Sequence, residues 1–210
     1  MEKGKFISFE GIDGAGKSAH IDFAQQILES AGLSVVRTRE PGATILGETL
    51  RHIVLEKNAQ FSPKTHALLM YAARVELTEK TILPSLKSGS WVLSDRFLDA
   101  TFAYQGGGEN LGLDQIAVLN TWALGDFLPD LTLLFEVDLE TAQNRILQSR
   151  TKKDHFENLN TEFFNRVQNA YLKRQKEEPK RIKIINSNLD LKKVRKNVEM
   201  HILKILEETK

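Results

Sequence analysis

The amino-acid sequence predicts a three-layer α/β fold in which a five-stranded parallel sheet is flanked by helices. Short apolar runs alternate along the chain with longer segments whose apolar residues recur every three or four positions. The short runs are almost continuously apolar, which is typical of parallel strands covered on both faces. A chain of 210 residues can bury one continuous core, so we expect residues 1–210 to form a single domain.

Each predicted strand is one of these short apolar runs. In chain order the strands are Lys5–Glu10, Leu33–Arg37, Trp91–Ser94, Leu131–Val137 and Ile182–Ile185. The carboxyl ends of parallel strands meet at one edge of a sheet, and ligands of open α/β sheets bind there. Polar motifs that directly follow a predicted strand are therefore the first candidates for a functional site.

The predicted helices are segments with apolar residues at helical spacing. They are Lys17–Ala31, Leu46–Leu55, Pro63–Leu86, Leu113–Leu124, Leu139–Gln148, Thr161–Glu178 and Leu191–Glu208. Pro63–Leu86 exceeds the usual length of a globular helix, so we expect it to bend. We interpret Gln105–Gly108 as a flexible turn, and the charged run Lys173–Lys183 as a solvated helix end and strand entry.

The composition excludes several classes of protein. A formal net charge of +1 argues against a protein that coats nucleic acid. The chain has no cysteine, which excludes disulfides and thiolate metal sites. No uninterrupted apolar stretch approaches the length of a membrane span, so we expect a cytoplasmic protein without a membrane partner.

A phosphate-binding loop is the strongest local signal in the chain. The residues Gly11-Ile12-Asp13-Gly14-Ala15-Gly16-Lys17-Ser18 match the pattern G-x-x-x-x-G-K-[ST] between a predicted strand and a predicted helix. Glycines let successive backbone N–H groups converge on phosphate oxygens at the positive end of the helix. We expect Lys17 to reach the β- and γ-phosphates of a nucleotide and the Ser18 hydroxyl to bind Mg²⁺.

Asp95 and Arg96 follow the apolar run Trp91-Val92-Leu93 at the end of another predicted strand. Their position predicts that both side chains point towards the bound triphosphate. Asp95 is a candidate for binding Mg²⁺ directly or through water, and Arg96 for stabilising charge on a transferring phosphoryl group.

Further arginines follow in the next segments. Arg39-Glu40-Pro41-Gly42 comes after a predicted strand at the same edge, and Arg51 lies one helical stretch later. Arg74 stands in the small, apolar context Tyr71-Ala72-Ala73. An arginine in such a segment either extends its charge to solvent, the usual outcome, or fills a pocket with its planar donor group.

Together these motifs resemble the thymidylate kinase family. The resemblance is carried, in order and spacing from Phe6 to about Tyr171, by Phe9-Glu10-Gly11-x-Asp13-Gly14-Ala15-Gly16-Lys17-Ser18, Thr38-Arg39-Glu40-Pro41-Gly42, Ala72-Ala73-Arg74, Ser94-Asp95-Arg96-Phe97 and Ala103-Tyr104-Gln105-Gly106-Gly107-Gly108. It implies a P-loop nucleoside-monophosphate-kinase-like fold. It also implies a homodimer that transfers the γ-phosphoryl group of ATP to dTMP with Mg²⁺, giving dTDP for dTTP synthesis.

The resemblance also implies roles for residues at matching positions. On the phosphate side of the acceptor, Asp13 matches an acid that interacts with the acceptor nucleotide and the metal, while Arg51 and Arg96 match arginines on the dTMP phosphate. With Lys17, Asp13 and Arg96 belong to the catalytic set that the family pattern implies.

The base and sugar of dTMP have their own matching positions. Arg74 matches the arginine that hydrogen-bonds thymine, Thr101 the polar group near its N3, and Tyr104 the ring packed beneath the deoxyribose. Met70 stands where many members stack a phenylalanine on thymine. The remaining positions around the acceptor are Glu40, Pro41 and Gln105.

The phosphate loop lacks the arginine that some family members use as a catalytic cation. The chain thus resembles the bacterial class in which a lid supplies this charge. The matching segment spans about residues 149–160, with Arg150 as the first candidate and Lys152 and Lys153 as substitutes. Two departures from the pattern, Ala19 for a threonine and His155 for an arginine, each remove one polar contact.

Two alternative functions remain open at this level. Another nucleotide or deoxynucleoside kinase on the same fold would share most of these motifs. A GTP-binding switch protein would share the phosphate loop, but the chain has no Asn-Lys-x-Asp sequence for reading guanine.

Overall fold

In the computed structural model, which describes residues 4–56, 60–149 and 161–209, the strands form one parallel sheet. The strands are β1 Phe6–Glu10, β2 Val35–Arg39, β3 Trp91–Asp95, β4 Leu131–Glu136 and β5 Ile182–Asn186. Their spatial order is β2-β3-β1-β4-β5, and every neighbouring pair is parallel. The predicted five-stranded parallel α/β fold is confirmed within these ranges. The second strand begins at Val35, two residues later than predicted.

The helices lie between and after the strands. They are α1 Lys17–Ser30, α2 Ile45–Leu55, α3 Pro63–Leu77, α4 Leu83–Lys87, α5 Leu98–Thr101, α6 Leu113–Leu124, α7 Leu139–Ser149, α8 Thr161–Glu177 and α9 Leu191–Glu207. The side chains of Thr44, Ser62 and Asp190 accept backbone hydrogen bonds at the starts of α2, α3 and α9, as N-caps do. Across the described ranges, no helix is both long and apolar enough to cross a bilayer.

The long segment predicted as one helix at Pro63–Leu86 is interrupted. A π-helical turn at Thr78–Ile82 separates α3 from α4. Pro84 lies in the first turn of α4, and a proline there cannot donate a backbone hydrogen bond and crowds the preceding turn. The wider π turn accommodates the ring where a regular α-helix would not.

The interpretation of Gln105–Gly108 as a flexible turn is wrong. A π-helical segment, Phe102–Gly108, continues directly from α5 and packs against α8. A Cβ on Gly107 would lie 2.6 Å from Cβ of Ala170, and one on Gly108 would lie 2.6 Å from the Phe163 ring. The glycines therefore serve the close approach of α8 rather than a turn.

Apolar side chains cover both faces of the sheet, as the uninterrupted apolar strands predict. Phe6 packs with Leu77 and Ile82 of the α3–α4 layer. Ile7 and Phe9 are in the cluster that contains Val198 of α9, together with residues of α1. Because side chains alternate along a strand, Phe6, Ser8 and Glu10 share one face of β1.

Polar groups are also buried beneath α8. Ser8 and Thr132 share a hydrogen bond of 2.7 Å between neighbouring strands. Arg181 donates to Asp99 at 2.7 Å and to Thr132 at 2.7 Å, and Arg174 donates to Asp99 at 3.2 Å. The charged run Lys173–Lys183 is thus partly an interior ion-pair network, not a solvated helix end as predicted from its charges.

We expect Gly108→Ala to lower the free energy of unfolding by about 1–3 kcal/mol, the usual cost of overpacking. The added methyl group would meet the Phe163 ring and Cγ2 of Val167 at 2.6 and 2.7 Å. Urea unfolding followed by circular dichroism measures the change. Gly108 has no positive φ, so the loss measures the contact with α8 and not backbone strain. A change of less than about 0.5 kcal/mol, as at an ordinary surface position, would show that this contact is not close.

Candidate functional site

The phosphate loop has a backbone that only glycine permits at its two tightest points. Gly11 and Gly14 have φ of 128° and 79°. A Cβ on Gly11 would lie 2.4 Å from the Phe135 carbonyl oxygen, and one on Gly14 would lie 2.3 Å from that of Ala142. The loop is therefore pressed against β4 and α7, which hold it in shape.

The start of α1 is suited to an anion. Its N-cap, Gly16, provides no side-chain hydrogen bond, and the first turn contains no acidic residue. The first backbone N–H groups of a helix lack partners inside the helix and carry a partial positive charge. An anion at this point satisfies both the hydrogen bonds and the charge.

Lys17 lies against the loop itself. Its Nζ donates to the carbonyl oxygens of Gly11 and Ile12 at 3.0 and 3.2 Å. Burial, and after it the charge of Arg96, lower the pKa of Lys17 to about 8, against the opposing effect of Asp95. A phosphate near Nζ would favour the charged form of the lysine.

A cavity of about 420 Å³ opens in front of the loop. Its described lining contains more cations than carboxylates. The cations are Lys17, Arg39, Arg51, Arg96 and Arg145, and the carboxylates are Asp13, Glu40 and Asp95. Gly14, Gly16, Ser18 and Ala19 complete the loop side of the lining. We call it the central cavity, and its excess of cations suits the phosphate groups of a ligand.

Arg96 is held in the central cavity by both its backbone and its side chain. Its backbone has a φ of 70°, which is unfavourable for a residue with a side chain. Such a conformation costs on the order of 1–3 kcal/mol of free energy. Its N–H donates to the Phe9 carbonyl at 2.9 Å, and its own carbonyl accepts from the Ser94 hydroxyl at 2.6 Å. Backbone strain that neighbouring contacts maintain is typical of a functional position.

The guanidinium of Arg96 is held by polar side chains. Nη2 donates to Asp13 Oδ1 at 2.8 Å and to the Tyr104 hydroxyl at 3.2 Å. Nη1 donates to the Tyr171 hydroxyl at 3.4 Å. Burial by itself would lower the pKa of Arg96, but Tyr104, Tyr171 and Asp13 outweigh it and raise the pKa, so the side chain stays charged.

Asp95 and Ser18 fit a magnesium ion. Asp95 Oδ1 is buried and has no hydrogen-bond partner among the described residues. Both residues line the central cavity, and both offer the oxygen ligands that Mg²⁺ prefers. The described residues contain no cluster of three or more His, Cys, Asp or Glu for a metal. That agrees with Mg²⁺ sites that rely on one or two protein ligands plus substrate phosphates.

Arg74 is fully buried, so of the two outcomes that its sequence context leaves open it takes the less usual one and fills a pocket rather than reaching solvent. Its Nε donates to Glu40 Oε2 at 2.8 Å, and its Nη2 donates to Thr101 Oγ1 at 2.9 Å and to the Phe97 carbonyl at 3.0 Å. Arg74 Nη1 and Glu40 Oε1 have no partner among the described residues. A buried donor and a buried acceptor are therefore available to a polar ligand.

Of the other residues predicted to contact the acceptor, some line the central cavity and others do not. Arg51 lines the central cavity and donates to the Pro41 carbonyl at 2.9 Å. Met70 and Gln105 are buried but are not among the described lining residues. Gln105 Nε2 instead contacts His66 Nδ1 at 3.3 Å and donates to Glu109 at 3.2 Å. Gly11 and Ile12 line a second cavity between β4 and α8.

The residues predicted to form the lid fall outside the described part of the chain. These are Arg150, Lys152, Lys153 and His155, within residues 150–160. Their roles stay predictions.

Arg145 was not predicted as a site residue. Its guanidinium lines the central cavity and donates to the Ser187 carbonyl at 2.8 Å and hydroxyl at 3.2 Å. Ser187 in turn donates to the Ala15 carbonyl at 2.6 Å, which ties the phosphate loop to the segment after β5. Nothing local marks Arg145, because one arginine on the polar side of an amphipathic helix is ordinary.

Glu10 lies in the motif that contains the phosphate loop, but its sequence context predicts no role for it. It ends β1 fully buried, and its Oε1 and Oε2 accept from Phe97 N at 2.7 Å and from the Tyr171 hydroxyl at 2.8 Å. Burial raises the pKa of Glu10 to about 8; Asp99 acts in the same direction and Arg96 opposes it. A buried titratable group of this kind beside a charged cavity is a common feature of functional sites.

Comparison with known proteins identifies one family. The family model described as thymidylate kinase matches residues 9–198 of the chain. The thymidylate kinase of Nitrosospira multiformis is 48% identical over 203 residues, which cover 97% of this chain and 98% of that protein. The thymidylate kinase of Cupriavidus necator is 47% identical, with 97% and 100% covered, and that of Vesicomyosocius okutanii is 46% identical, with 95% and 98% covered.

Proposed function

Because the chain belongs to the thymidylate kinase family, we propose that it is the kinase that transfers the γ-phosphoryl group of ATP to dTMP. The products are dTDP and ADP, and the reaction serves dTTP synthesis. The structural observation that carries this proposal is the central cavity, which the phosphate loop lines together with Arg51 and Arg96. Two arginines in addition to the lysine of the loop suit two phosphorylated substrates rather than one.

The phosphate loop side holds the donor. Lys17 and the backbone N–H groups at the start of α1 bind the β- and γ-phosphates of ATP, as in other phosphate loops. Arg145 lies at the same end of the central cavity and supports the loop through Ser187. Ala19 is exposed beside the loop and offers no hydroxyl to the donor.

The part of the central cavity around Arg51 and Arg96 holds the acceptor phosphate. Arg96 and Arg51 bind it, and Asp13 orients Arg96 through the 2.8 Å ion pair. The attacking oxygen of dTMP already carries negative charge, so it needs no strong general base. Catalysis then consists of aligning the two anions and stabilising the charge as they approach.

Ser18 and Asp95 would hold Mg²⁺ beside the donor phosphates. When bound, the ion neutralises charge on the β- and γ-phosphate oxygens. Ser18 would contribute its oxygen from the phosphate loop and Asp95 from the end of β3, and both residues line the central cavity.

The thymine base of dTMP binds next to the buried ion pair between Glu40 and Arg74. Arg74 Nη1 is a buried donor for thymine, and Thr101 fixes the direction of Arg74 through its hydroxyl. Tyr104 stands under the sugar, next to Arg96. Pro41, Met70 and Gln105 are proposed to close the pocket around the base, a role that rests on the family pattern.

The lid cation is proposed to be Arg150. The described part of the phosphate loop carries no arginine, and the charge of Arg96 is directed to the acceptor side. Lys152 and Lys153 are the alternatives. We also propose a cytoplasmic location and a single domain over residues 1–210, both on the family pattern.

A homodimer is proposed from a surface of exposed apolar residues on α2, α3 and α6. α3 packs against both other helices, which places their outer sides together. Ile45, Val118 and Trp122 are 93%, 73% and 82% exposed. The other members of this surface are Leu46, Ile53, Leu55 and Leu68. Apolar surfaces of this kind mark interaction sites, and a second copy is the occupant that the family pattern implies.

We expect Arg96→Ala to reduce kcat by about 10³-fold or more, because a phosphoryl-clamping arginine is lost. The measurement is a coupled ADP-release assay with dTMP, with circular dichroism to confirm folding. The control is Arg37→Ala, which removes an exposed ion pair with Asp22 and should leave kcat within about twofold. Turnover near the wild-type value in Arg96→Ala would remove Arg96 from the mechanism.

A panel of dTMP, dUMP, dCMP, AMP and thymidine with ATP tests the acceptor. We expect kcat/KM to be highest for dTMP and about 10–200-fold lower for dUMP, since one methyl group separates them. Thymidine should react least, because it has no phosphate for Arg51 and Arg96. Preference for dUMP or for thymidine would contradict the assignment, and tight GTP binding without transfer would favour a switch protein.

We expect Trp122→Glu to convert the dimer to monomers, because it places a charge in a buried apolar contact. Sedimentation velocity over a range of protein concentrations measures the association. Leu203→Glu on α9, which packs on the other face of the sheet, is the control and should leave the dimer intact. A monomeric wild type, or a Trp122→Glu variant that associates as well as the wild type, would contradict this surface.

A further inference from the structure

The hydroxyl of Tyr171 links Arg96 to the centre of the sheet. Tyr171 lies on α8, is 3% exposed, and donates to Glu10 Oε2 at 2.8 Å. The same hydroxyl accepts from Arg96 Nη1 at 3.4 Å. Arg96 is thus connected, through one phenol, to a carboxyl group at the end of β1.

Glu10 is a fixed point for this contact. β1 pairs with β3 on one side and β4 on the other, so its end cannot move independently of the sheet. The second oxygen of Glu10 accepts from Phe97 N at 2.7 Å, directly after Arg96 in sequence. One carboxyl group therefore holds both the backbone next to Arg96 and, through Tyr171, the tip of its side chain.

The other nitrogen of Arg96 has partners outside the sheet. Nη2 binds Asp13, whose side chain is 74% exposed, and Tyr104, which lies in the π-helical segment. Both partners are proposed to contact dTMP, so substrate binding changes what surrounds them. Among the described contacts, the Nη1 side is the one tied to the sheet.

We propose that Tyr171 is a positioning residue of the phosphoryl transfer: its hydroxyl, held by Glu10, fixes the guanidinium plane of Arg96. This rests on the proposed function, in which Arg96 contacts the acceptor phosphate. The guanidinium has two donor edges, and rotation about its side-chain bonds would turn the phosphate-facing edge away. A misplacement of about 1 Å in such a group can cost about 10²-fold in rate.

The test is Tyr171→Phe, which removes only the hydroxyl. We expect kcat with dTMP to fall about tenfold, while the KM for ATP stays within about twofold because the donor side is untouched. The matched control is Ser8→Ala, which removes only a buried hydroxyl, one that is bonded to Thr132 at 2.7 Å. Its kcat should stay within about twofold of the wild-type value.

A double-variant cycle separates positioning from general damage. Lysine lacks the Nη1 atom that Tyr171 binds, so Tyr171→Phe added to Arg96→Lys should change kcat by less than about twofold. A further tenfold loss in that background would show that Tyr171 does not act through Arg96. An equal rise in the KM for ATP would likewise indicate a general structural change and overturn the proposal.

The wild type separates this inference from the proposed function. Absence of dTMP phosphorylation in the wild type would overturn the proposed function and the role of Tyr171 with it. An active wild type with an equally active Tyr171→Phe variant would overturn the role of Tyr171 alone.

Discussion

The hydrogen bonding between β1 and β3 continues to Arg96, one residue past the end of β3, and the site depends on this additional hydrogen bond. Phe9 lies opposite Asp95 in the register, and the Arg96 N–H donates to the Phe9 carbonyl at 2.9 Å. The chain after β1 becomes the phosphate loop, and the chain after β3 becomes the Asp95–Arg96 turn. Because the two strands are parallel neighbours, both turns leave the sheet at the same edge. The phosphate loop, Asp95 and Arg96 line the same cavity for this reason.

Two buried arginines show how the same residue type serves different purposes. Arg181 bonds through Nε, Nη1 and Nη2 to Glu178, Asp99 and Thr132, and it joins α8 to β4 and α5. Arg74 also has a buried carboxylate partner, Glu40, but leaves Nη1 without one among the described residues. Leaving a buried donor unsatisfied costs about 1–3 kcal/mol, so its retention in a well-packed interior points to a ligand. All the bonding nitrogens of Arg181 are used within the protein, whereas Arg74 keeps one buried donor available to a ligand.

The element types were largely predictable, because parallel strands and amphipathic helices have strong periodic signals. The length of Pro63–Leu86 led us to expect a bend, but not the π-helical turn that divides it, and the π-helical segment at Phe102–Gly108 was not predicted. Both depend on how a backbone adjusts to a neighbour: the first to the ring of Pro84, the second to the close packing of α8. The run Gly106-Gly107-Gly108 is typical of a turn in isolation, and only the position of α8 explains it.

The phosphate loop, the motifs at the strand ends and the family they resemble could all be predicted from sequence, because each is a contiguous pattern whose spacing reflects its chemistry. Which side chains act together depends instead on the packing of distant elements. Arg74 is buried because it pairs with Glu40, which lies 34 residues away in sequence. The link from Glu10 to Arg96 runs through Tyr171, which is 161 residues from Glu10. Arg145 and Tyr171 lie on ordinary amphipathic helices without local motifs. Hydrogen bonds over such separations follow from how the helices pack on the sheet, and no local pattern encodes them.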